Sequence, residues 1–247
     1  MLPRSYLLEE GRPDARRWPV VYLLHGYGAD CRRLEAMFRQ AGRPLEDAAE
    51  SFGLILVAAD GRRASWYLDA APDAPEAGDW QYETIVTRHL VPEIDRRLRT
   101  WAEPAGRGLT GMSMGGHGAV YLAARHPELF SACSAMAGVF SLTDTTQPHE
   151  LAARLGSLEE HRDRWIEHSV LTQAARFRGR PVALFIDCGT EDPFIHNNRA
   201  LHRRLIELGV PHDYIERPGG HTTAYWVNAM PYHLRFLADR LKPAGRP

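Results

Sequence analysis

Lysine is almost missing from this chain. Of its 30 basic residues only Lys242 is a lysine, and the others are arginines. Schiff-base chemistry and P-loop nucleotide binding both need a lysine at the site, so the sequence argues against them. The arginines are interspersed with acidic residues, and the net charge is −1. This balance predicts no attraction to nucleic acid or to an anionic membrane.

Cysteine is scarce, and several recurring motifs are absent. The three cysteines lie far apart without a C-x-x-C pair, which predicts reduced thiols and a cytoplasmic protein. No apolar run approaches the roughly 18 residues of a membrane helix, and no signal-peptide pattern opens the chain. There is also no H-E-x-x-H, no paired metal-ligand spacing and no G-x-G-x-x-G. We therefore expect no metal, no cofactor and no membrane partner.

What the chain does contain is an alternation of short apolar runs and helical patterns. With 247 residues, 44% of them hydrophobic, it can build one sizeable core, and we predict a single domain over residues 1–247. The apolar runs predict strands at 20–24, 54–59 and 182–186, with weaker candidates at 108–112, 133–137 and 212–217. The alternation predicts an α/β fold with a mostly parallel central sheet and helices on both faces.

Helical stripes lie between these runs. One consists of apolar residues four apart, at Val86, Leu90, Ile94 and Leu98. Pro92 lies inside this stripe and is expected to kink the helix. A narrower stripe consists of Leu201, Leu205 and Leu208. The polar stretch 141–177 has little strand character and predicts a small helical insertion over one end of the sheet.

The sequence GMSMGGHG at 111–118 is the first candidate for chemistry. Ser113 has glycine two positions away on both sides, follows the strand candidate that begins at Gly108, and precedes a helical pattern at 119–123. A sharp turn from strand to helix would expose the serine in a strained conformation, and the small neighbours would avoid clashes. Ser113 is therefore the predicted nucleophile.

A serine hydroxyl needs a base to take its proton and an acid to orient that base. Past the strand candidate at 182–186, the loop carries Asp192, our choice of acid, with Glu191 as the alternative. Asp187 is set aside because it still belongs to the strand. Past the last strand candidate, a glycine-rich approach leads to His221, the predicted base. Nucleophile, acid and histidine then follow in the chain order typical of a nucleophile elbow.

Two backbone amides are predicted to stabilise charge on a reacting carbonyl oxygen. One is the N–H of Met114, directly after the serine, and the other is the N–H of Tyr27 in the loop HGYG at 25–28. Trp66 and Trp226 are candidates for the wall of a substrate pocket. The alternative for both tryptophans is a place in the core.

Together these segments resemble the esterase D branch of the α/β-hydrolases. The resemblance rests on YLLHGYG, SWYLDAAP, LTGMSMGGHGAVYLAARHPELFSA, IDCGTEDPF and PGGHTTAYW, and runs from about residue 20 to residue 241. It implies the α/β-hydrolase fold with Ser113, Asp192 and His221 as a triad and the amides of Tyr27 and Met114 as the oxyanion hole. The branch usually has one or two further strands before the LLHG strand, so we expect an edge strand to be missing here.

The resemblance implies a serine carboxylic-ester hydrolase that works through an acyl-enzyme. Expected substrates are small-molecule or carbohydrate-linked esters with short or sugar-linked acyl groups of the acetyl or feruloyl type. An acyltransferase or an S-formylglutathione-type thioester hydrolase would use the same triad, although the formylglutathione hydrolases differ at the HGYG position. A non-catalytic binding protein on the same fold is the alternative from another class. The sequence leaves the oligomeric state open.

Overall fold

The structure is a computed structural model that describes residues 1–8, 16–75, 77–144 and 150–242. Its described part contains one six-stranded sheet. The strands are β1 (Val20–Leu24), β2 (Ile55–Ala59), β3 (Arg107–Met112), β4 (Ala132–Met136), β5 (Ala183–Gly189) and β6 (Asp213–Arg217). Every neighbouring pair is parallel, in the order β2-β1-β3-β4-β5-β6. The carboxyl ends of all six strands therefore share one edge of the sheet.

Helices connect the strands. They are α1 (Arg4–Leu8), α2 (Cys31–Gln40), α3 (Leu45–Phe52), α4 (Tyr82–Thr84), α5 (Val91–Arg97), α6 (Met114–Arg125), α7 (Leu151–Leu155), α8 (Arg162–His168), α9 (Val170–Gln173), α10 (Ile195–Glu207) and α11 (Thr223–Arg240). A π-helical segment, Ile85–Leu90, joins α4 to α5, and short 3-10 helices cover Pro104–Gly106 and Ala174–Phe177.

The sheet is covered on both faces, as the sequence predicted. In β1, Tyr22 and its alternate neighbours pack into one apolar cluster, while Val21 and Leu23 pack into the other. Helices α2, α3 and α11 contribute to the cluster that holds Leu23, and α6 and α10 contribute to the opposite one. The continuous apolar sequence of β1 thus follows from burial on two sides.

All six predicted strands are present, with ends that shift by a few residues. The largest difference is in β5, which continues through Asp187 to Gly189. The predicted helix with the four-residue stripe begins at Tyr82, and its irregularity is the π-helical segment directly before Pro92. Proline lacks an N–H group and disturbs the regular helical hydrogen bonds, which accounts for a wide turn at this point.

The described part of 141–177 contains the short helices α7, α8 and α9, and residues 145–149 lie outside the described residues. Leu151, Leu155 and Trp165 pack into the same apolar cluster as α6, so this segment is anchored on the sheet side.

Among the described residues before β1 there is a short helix and a single bridge from Trp18 to Thr100, and β2 forms one edge of the sheet. In the described ranges, no helix combines the length and the apolar character that crossing a membrane requires.

Leu23 tests how much the apolar cluster beneath α2 and α11 contributes to the stability of the fold. Its side chain is 1% exposed. We expect Leu23→Ala to lower the free energy of unfolding by about 2–5 kcal/mol, because a cavity remains on a face closed by helices. The matched control is Leu8→Ala, at a side chain that is 76% exposed, where the change should stay within about 0.5 kcal/mol. Urea unfolding of both variants measures the difference, and equal losses would contradict this account of the core.

Candidate active site

Ser113 occupies the turn between β3 and α6. Its φ of 56° and ψ of −120° are rare for a residue with a side chain, and such strain costs about 1–3 kcal/mol. The surrounding hydrogen bonds hold it in place, since Ser113 N–H donates to the carbonyl of Met136 at 2.9 Å and the carbonyl of Ser113 accepts from His117 N–H at 3.0 Å. The strained elbow predicted from the sequence is therefore present.

The glycines around Ser113 are required by close backbone contacts. A Cβ atom on Gly115 would lie 2.0 Å from the carbonyl oxygen of Leu24, and one on Gly111 would lie 2.3 Å from the carbonyl oxygen of Gly115. Both separations are far below contact distance. Helix α6 can begin this close to β1 and β3 only because these positions lack a side chain. The spacing of glycine around the serine thus has a steric cause.

Three side chains from separate loops form a continuous hydrogen-bonded row. The Oγ atom of Ser113 lies 2.9 Å from Nε2 of His221, and Nδ1 of the same ring lies 2.7 Å from Oδ2 of Asp192. Asp192 follows β5, and His221 lies between β6 and α11. The parallel sheet brings their loops to the edge where Ser113 lies.

Asp192, rather than Glu191, contacts the imidazole. The Asp192 carboxylate is completely buried, and its second oxygen accepts a hydrogen bond from Phe194 N–H at 2.8 Å. Both oxygens therefore have partners, and the carboxylate can move little. Glu191 is exposed to solvent, and its N–H donates to the carbonyl of Gly219. Asp187 lies in β5, as the sequence analysis assumed.

Two aromatic rings confine the imidazole of His221. Phe194 and Trp226 each meet it edge to face, with ring centroids 5.1 Å and 4.9 Å away. The His221 side chain is 23% exposed, so one part of the ring still reaches the cavity. This arrangement limits rotation of the ring and keeps Nε2 directed at Ser113.

The loop at 25–28 lies against the serine. A Cβ atom on Gly26 would be 3.4 Å from the Cβ of Ser113. Gly28 N–H donates to the carbonyl of Arg63 at 2.8 Å, and the hydroxyl of Tyr27 accepts from Nη2 of Arg63 at 2.9 Å. His25 stabilises the loop through two hydrogen bonds of 2.9 Å. Its Nε2 accepts from Gly61 N–H, and its Nδ1 donates to the carbonyl of Gly26.

A cavity of about 1010 Å³ opens beside Ser113. One side is lined by a face of α2 and the start of α11, and includes Met37 and Trp226. The other side is lined by the start of α10 together with Asp144 and Leu171 of the helical insertion. The α2 wall was not anticipated from the sequence, although Arg33, Ala36, Met37 and Gln40 follow helical spacing along one face. The site can admit an organic molecule of substantial size.

Of the two tryptophans predicted to line the pocket, only Trp226 does so. Trp66 is fully buried and meets the ring of His117 edge to face at 5.7 Å, so its assignment to the pocket wall is wrong. Its backbone φ of 54° is a conformation that a sequence pattern does not reveal. Burial lowers the pKa of His117 to about 4, so this second histidine beside the elbow is neutral at ordinary pH.

The described ranges contain no cluster of three or more histidine, cysteine and acidic side chains suited to binding a metal ion.

Comparison with known proteins places this geometry in context. The family described as "Putative esterase" matches residues 1–237. Esterase Rv1288 of Mycobacterium tuberculosis is 29% identical over 268 residues, which cover 99% of this chain and 56% of that relative, so the chain spans only about half of the relative's length. An S-formylglutathione hydrolase of Paracoccus denitrificans is 30% identical over 251 residues, covering 93% of this chain and 86% of that protein.

Among solved structures, a ferulic acid esterase superposes with a TM-score of 0.77 at 25% identity, covering 98% of this chain and 90% of that one. An S-formylglutathione hydrolase of Agrobacterium tumefaciens reaches the same TM-score at 23% identity, covering 98% and 88%. These superpositions and the parallel sheet confirm the predicted α/β-hydrolase fold.

The crowding at the serine turn can be tested by adding one methyl group. We expect Gly115→Ala to cost at least about 3 kcal/mol of stability or to prevent folding, because its Cβ would collide with backbone that cannot move aside. Gly78→Ala is the matched control, since a Cβ there meets nothing within 4 Å. Thermal unfolding of purified protein distinguishes them. If Gly115→Ala is as stable as the control, steric demand does not explain the motif.

Proposed function

Because the chain belongs to the family described as "Putative esterase", we propose that it hydrolyses carboxylic esters through a serine acyl-enzyme. The supporting observation is the row of hydrogen bonds from Asp192 through His221 to Ser113, at the wall of a cavity large enough for an organic ester. Nucleophile, base and orienting acid are within hydrogen-bonding distance of one another.

In the first half of the reaction, Ser113 Oγ attacks the ester carbonyl carbon while Nε2 of His221 takes the hydroxyl proton. Asp192 holds the ring orientation and stabilises the imidazolium that forms. The carbonyl oxygen becomes an oxyanion, which the N–H groups of Met114 and Tyr27 stabilise. When the tetrahedral intermediate collapses, the bond to the alcohol oxygen breaks and Nε2 returns the proton to that alcohol.

The second half repeats these steps with water. His221 takes a proton from water as its oxygen attacks the acyl carbon, and then gives the proton back to Ser113 Oγ as the acid leaves. The exposed part of the imidazole allows water to reach Nε2 from the cavity.

We propose that the substrates are small or carbohydrate-linked esters with short acyl groups. The mixed walls of the cavity support this proposal, since Met37 and Trp226 present apolar surface while Asp144 and Asn197 present polar groups on the other side. The similarity to the ferulic acid esterase supports the same class.

A second candidate is hydrolysis of a thioester of the S-formylglutathione type. The 30% identity with the Paracoccus enzyme over most of both chains favours it. The same triad would act, with a thiolate leaving instead of an alcohol. Parallel assays with S-formylglutathione and with p-nitrophenyl acetate discriminate the two, because the preferred substrate will show the higher kcat/KM.

Replacing the nucleophile tests the mechanism. We expect Ser113→Ala to lower turnover of p-nitrophenyl esters by about 10⁴-fold or more and to abolish labelling by a fluorophosphonate probe. Wild type should prefer acyl groups of two to four carbons in a series from acetate to octanoate, and acetylated sugars and feruloyl esters extend the panel. Ser134→Ala removes a buried hydroxyl that donates to Thr110 and serves as the matched control. Unchanged turnover in Ser113→Ala would sink the proposal.

Replacing each of the adjacent acids Asp192 and Glu191 gives a second test of the mechanism. Asp192→Asn should lower kcat by up to about 10⁴-fold, because the amide can hold the wrong imidazole tautomer and carries no charge to stabilise the imidazolium. Glu191→Gln should leave kcat unchanged, since that side chain points to solvent. Steady-state kinetics on one ester measures both variants. A larger loss in Glu191→Gln would reverse the assignment of the acid.

A further inference from the structure

A second buried carboxylate lies five residues before Asp192. Asp187 is on β5, its side chain has no solvent exposure, and it does not belong to the row that ends at Ser113. A buried carboxylate is stable only when its oxygens have donors. Its partners therefore show what this residue holds together.

Both Asp187 oxygens have partners from the chain around His221. Nη2 of Arg217 donates to Oδ2, and the hydroxyl of Tyr225 donates to Oδ1. Nε2 of His233, on α11, lies 3.5 Å from Oδ2. Burial alone would raise the pKa of Asp187, but the nearby ring of His233, the hydrogen bond from Tyr225 and the charge of Arg217 outweigh it and hold that pKa below its usual value. The carboxylate is thus charged when the site operates.

The two donors bracket the candidate base in sequence. Arg217 is the last residue of β6, and Tyr225 lies in the first turn of α11. Each is four residues from His221, so one carboxylate joins both ends of the loop that carries the imidazole. The loop has no regular secondary structure of its own between β6 and Thr223.

The loop that carries His221 also packs directly against Tyr225 and the end of β5. Gly219 has a φ of 129°, and a Cβ there would lie 2.7 Å from the Tyr225 ring, so the loop backbone packs closely against that ring. A Cβ on Gly189 would lie 2.1 Å from the carbonyl oxygen of Gly219. The loop is therefore held between the end of β5 and the ring that Asp187 anchors.

We propose that Asp187 is a positioning residue, which fixes His221 relative to Ser113 by holding Arg217 and Tyr225 at the two ends of the histidine loop. This inference rests on the proposed function. The two aspartates, five residues apart in the chain, then have separate roles. Asp192 contacts the imidazole, and Asp187 holds the backbone on both sides of His221. A misplacement of about 1 Å between reacting groups can cost about 100-fold in rate.

The sharpest test removes one oxygen atom. Tyr225→Phe keeps the ring that supports Gly219 but loses the hydrogen bond to Asp187. We expect kcat for p-nitrophenyl acetate to fall about 10- to 100-fold, with KM within about twofold, because the loop moves while the cavity stays intact. The rate of fluorophosphonate labelling at Ser113 should fall in parallel, since it depends on the same Ser113–His221 contact.

The chain offers a closely matched control in Tyr121→Phe. The Tyr121 hydroxyl donates to the buried carboxylate of Glu83, which is also bonded to an arginine and a histidine, Arg125 and His126, as Asp187 is approached by Arg217 and His233. Each variant therefore removes one tyrosine hydroxyl group from a buried network that contains a carboxylate, an arginine and a histidine. If both variants lose a comparable amount of melting temperature and only Tyr225→Phe loses kcat, the result supports the positioning role of Asp187. Equal kcat in the two variants overturns it.

Asp187→Asn is the second variant, and proton NMR supplies a readout independent of turnover. The His221 Nδ1–H bonded to Asp192 should give a downfield resonance in wild type, and we expect it to shift or broaden in Asp187→Asn and Tyr225→Phe but not in Tyr121→Phe. An unchanged resonance with unchanged kcat in a folded Asp187→Asn protein overturns the inference while leaving the proposed function standing. A wild-type protein without esterase or thioesterase activity overturns the proposed function, and the inference falls with it.

Discussion

The contact between the start of α6 and the carboxyl end of β1 is the constraint on which the site depends. Gly115 lies against the carbonyl of Leu24, and Gly111 lies beneath Gly115, so the helix begins where a side chain would not fit. Ser113, in the turn before this helix, has a positive φ of 56°. Helix α6 therefore begins directly after the serine, at Met114.

The parallel order of the sheet brings the serine, the acid and the histidine together. β3 ends at the serine, while β5 and β6 end beside the loops with Asp192 and His221. Because parallel strands bring their carboxyl ends to one edge, side chains 108 residues apart in sequence meet at 2.9 Å. The helical insertion and one face of α2 then close the cavity around them.

Two buried carboxylates outside the row at Ser113 each collect several polar partners. Asp187 and Glu83 each combine a carboxylate with tyrosine, arginine and histidine partners, one beneath the histidine loop and the other between α4 and the end of α6. Breaking such a network is costly because an unpaired charge would remain inside the protein.

The sequence by itself determined the strand and helix pattern, the elbow at Ser113 and the choice of His221, because buried strands, strand-to-helix turns and glycine-rich approaches depend on local residue types. It could rank Asp192 above Glu191 but could not decide between them, since one residue of loop register separates a buried carboxylate from an exposed one. Trp66 was misplaced for a similar reason: an aromatic residue in a loop fits a pocket or a core equally well until the chain direction is known. Only the tertiary structure decided these positions, together with the α2 wall and the partners of Asp187, because each depends on contacts between segments far apart in the chain.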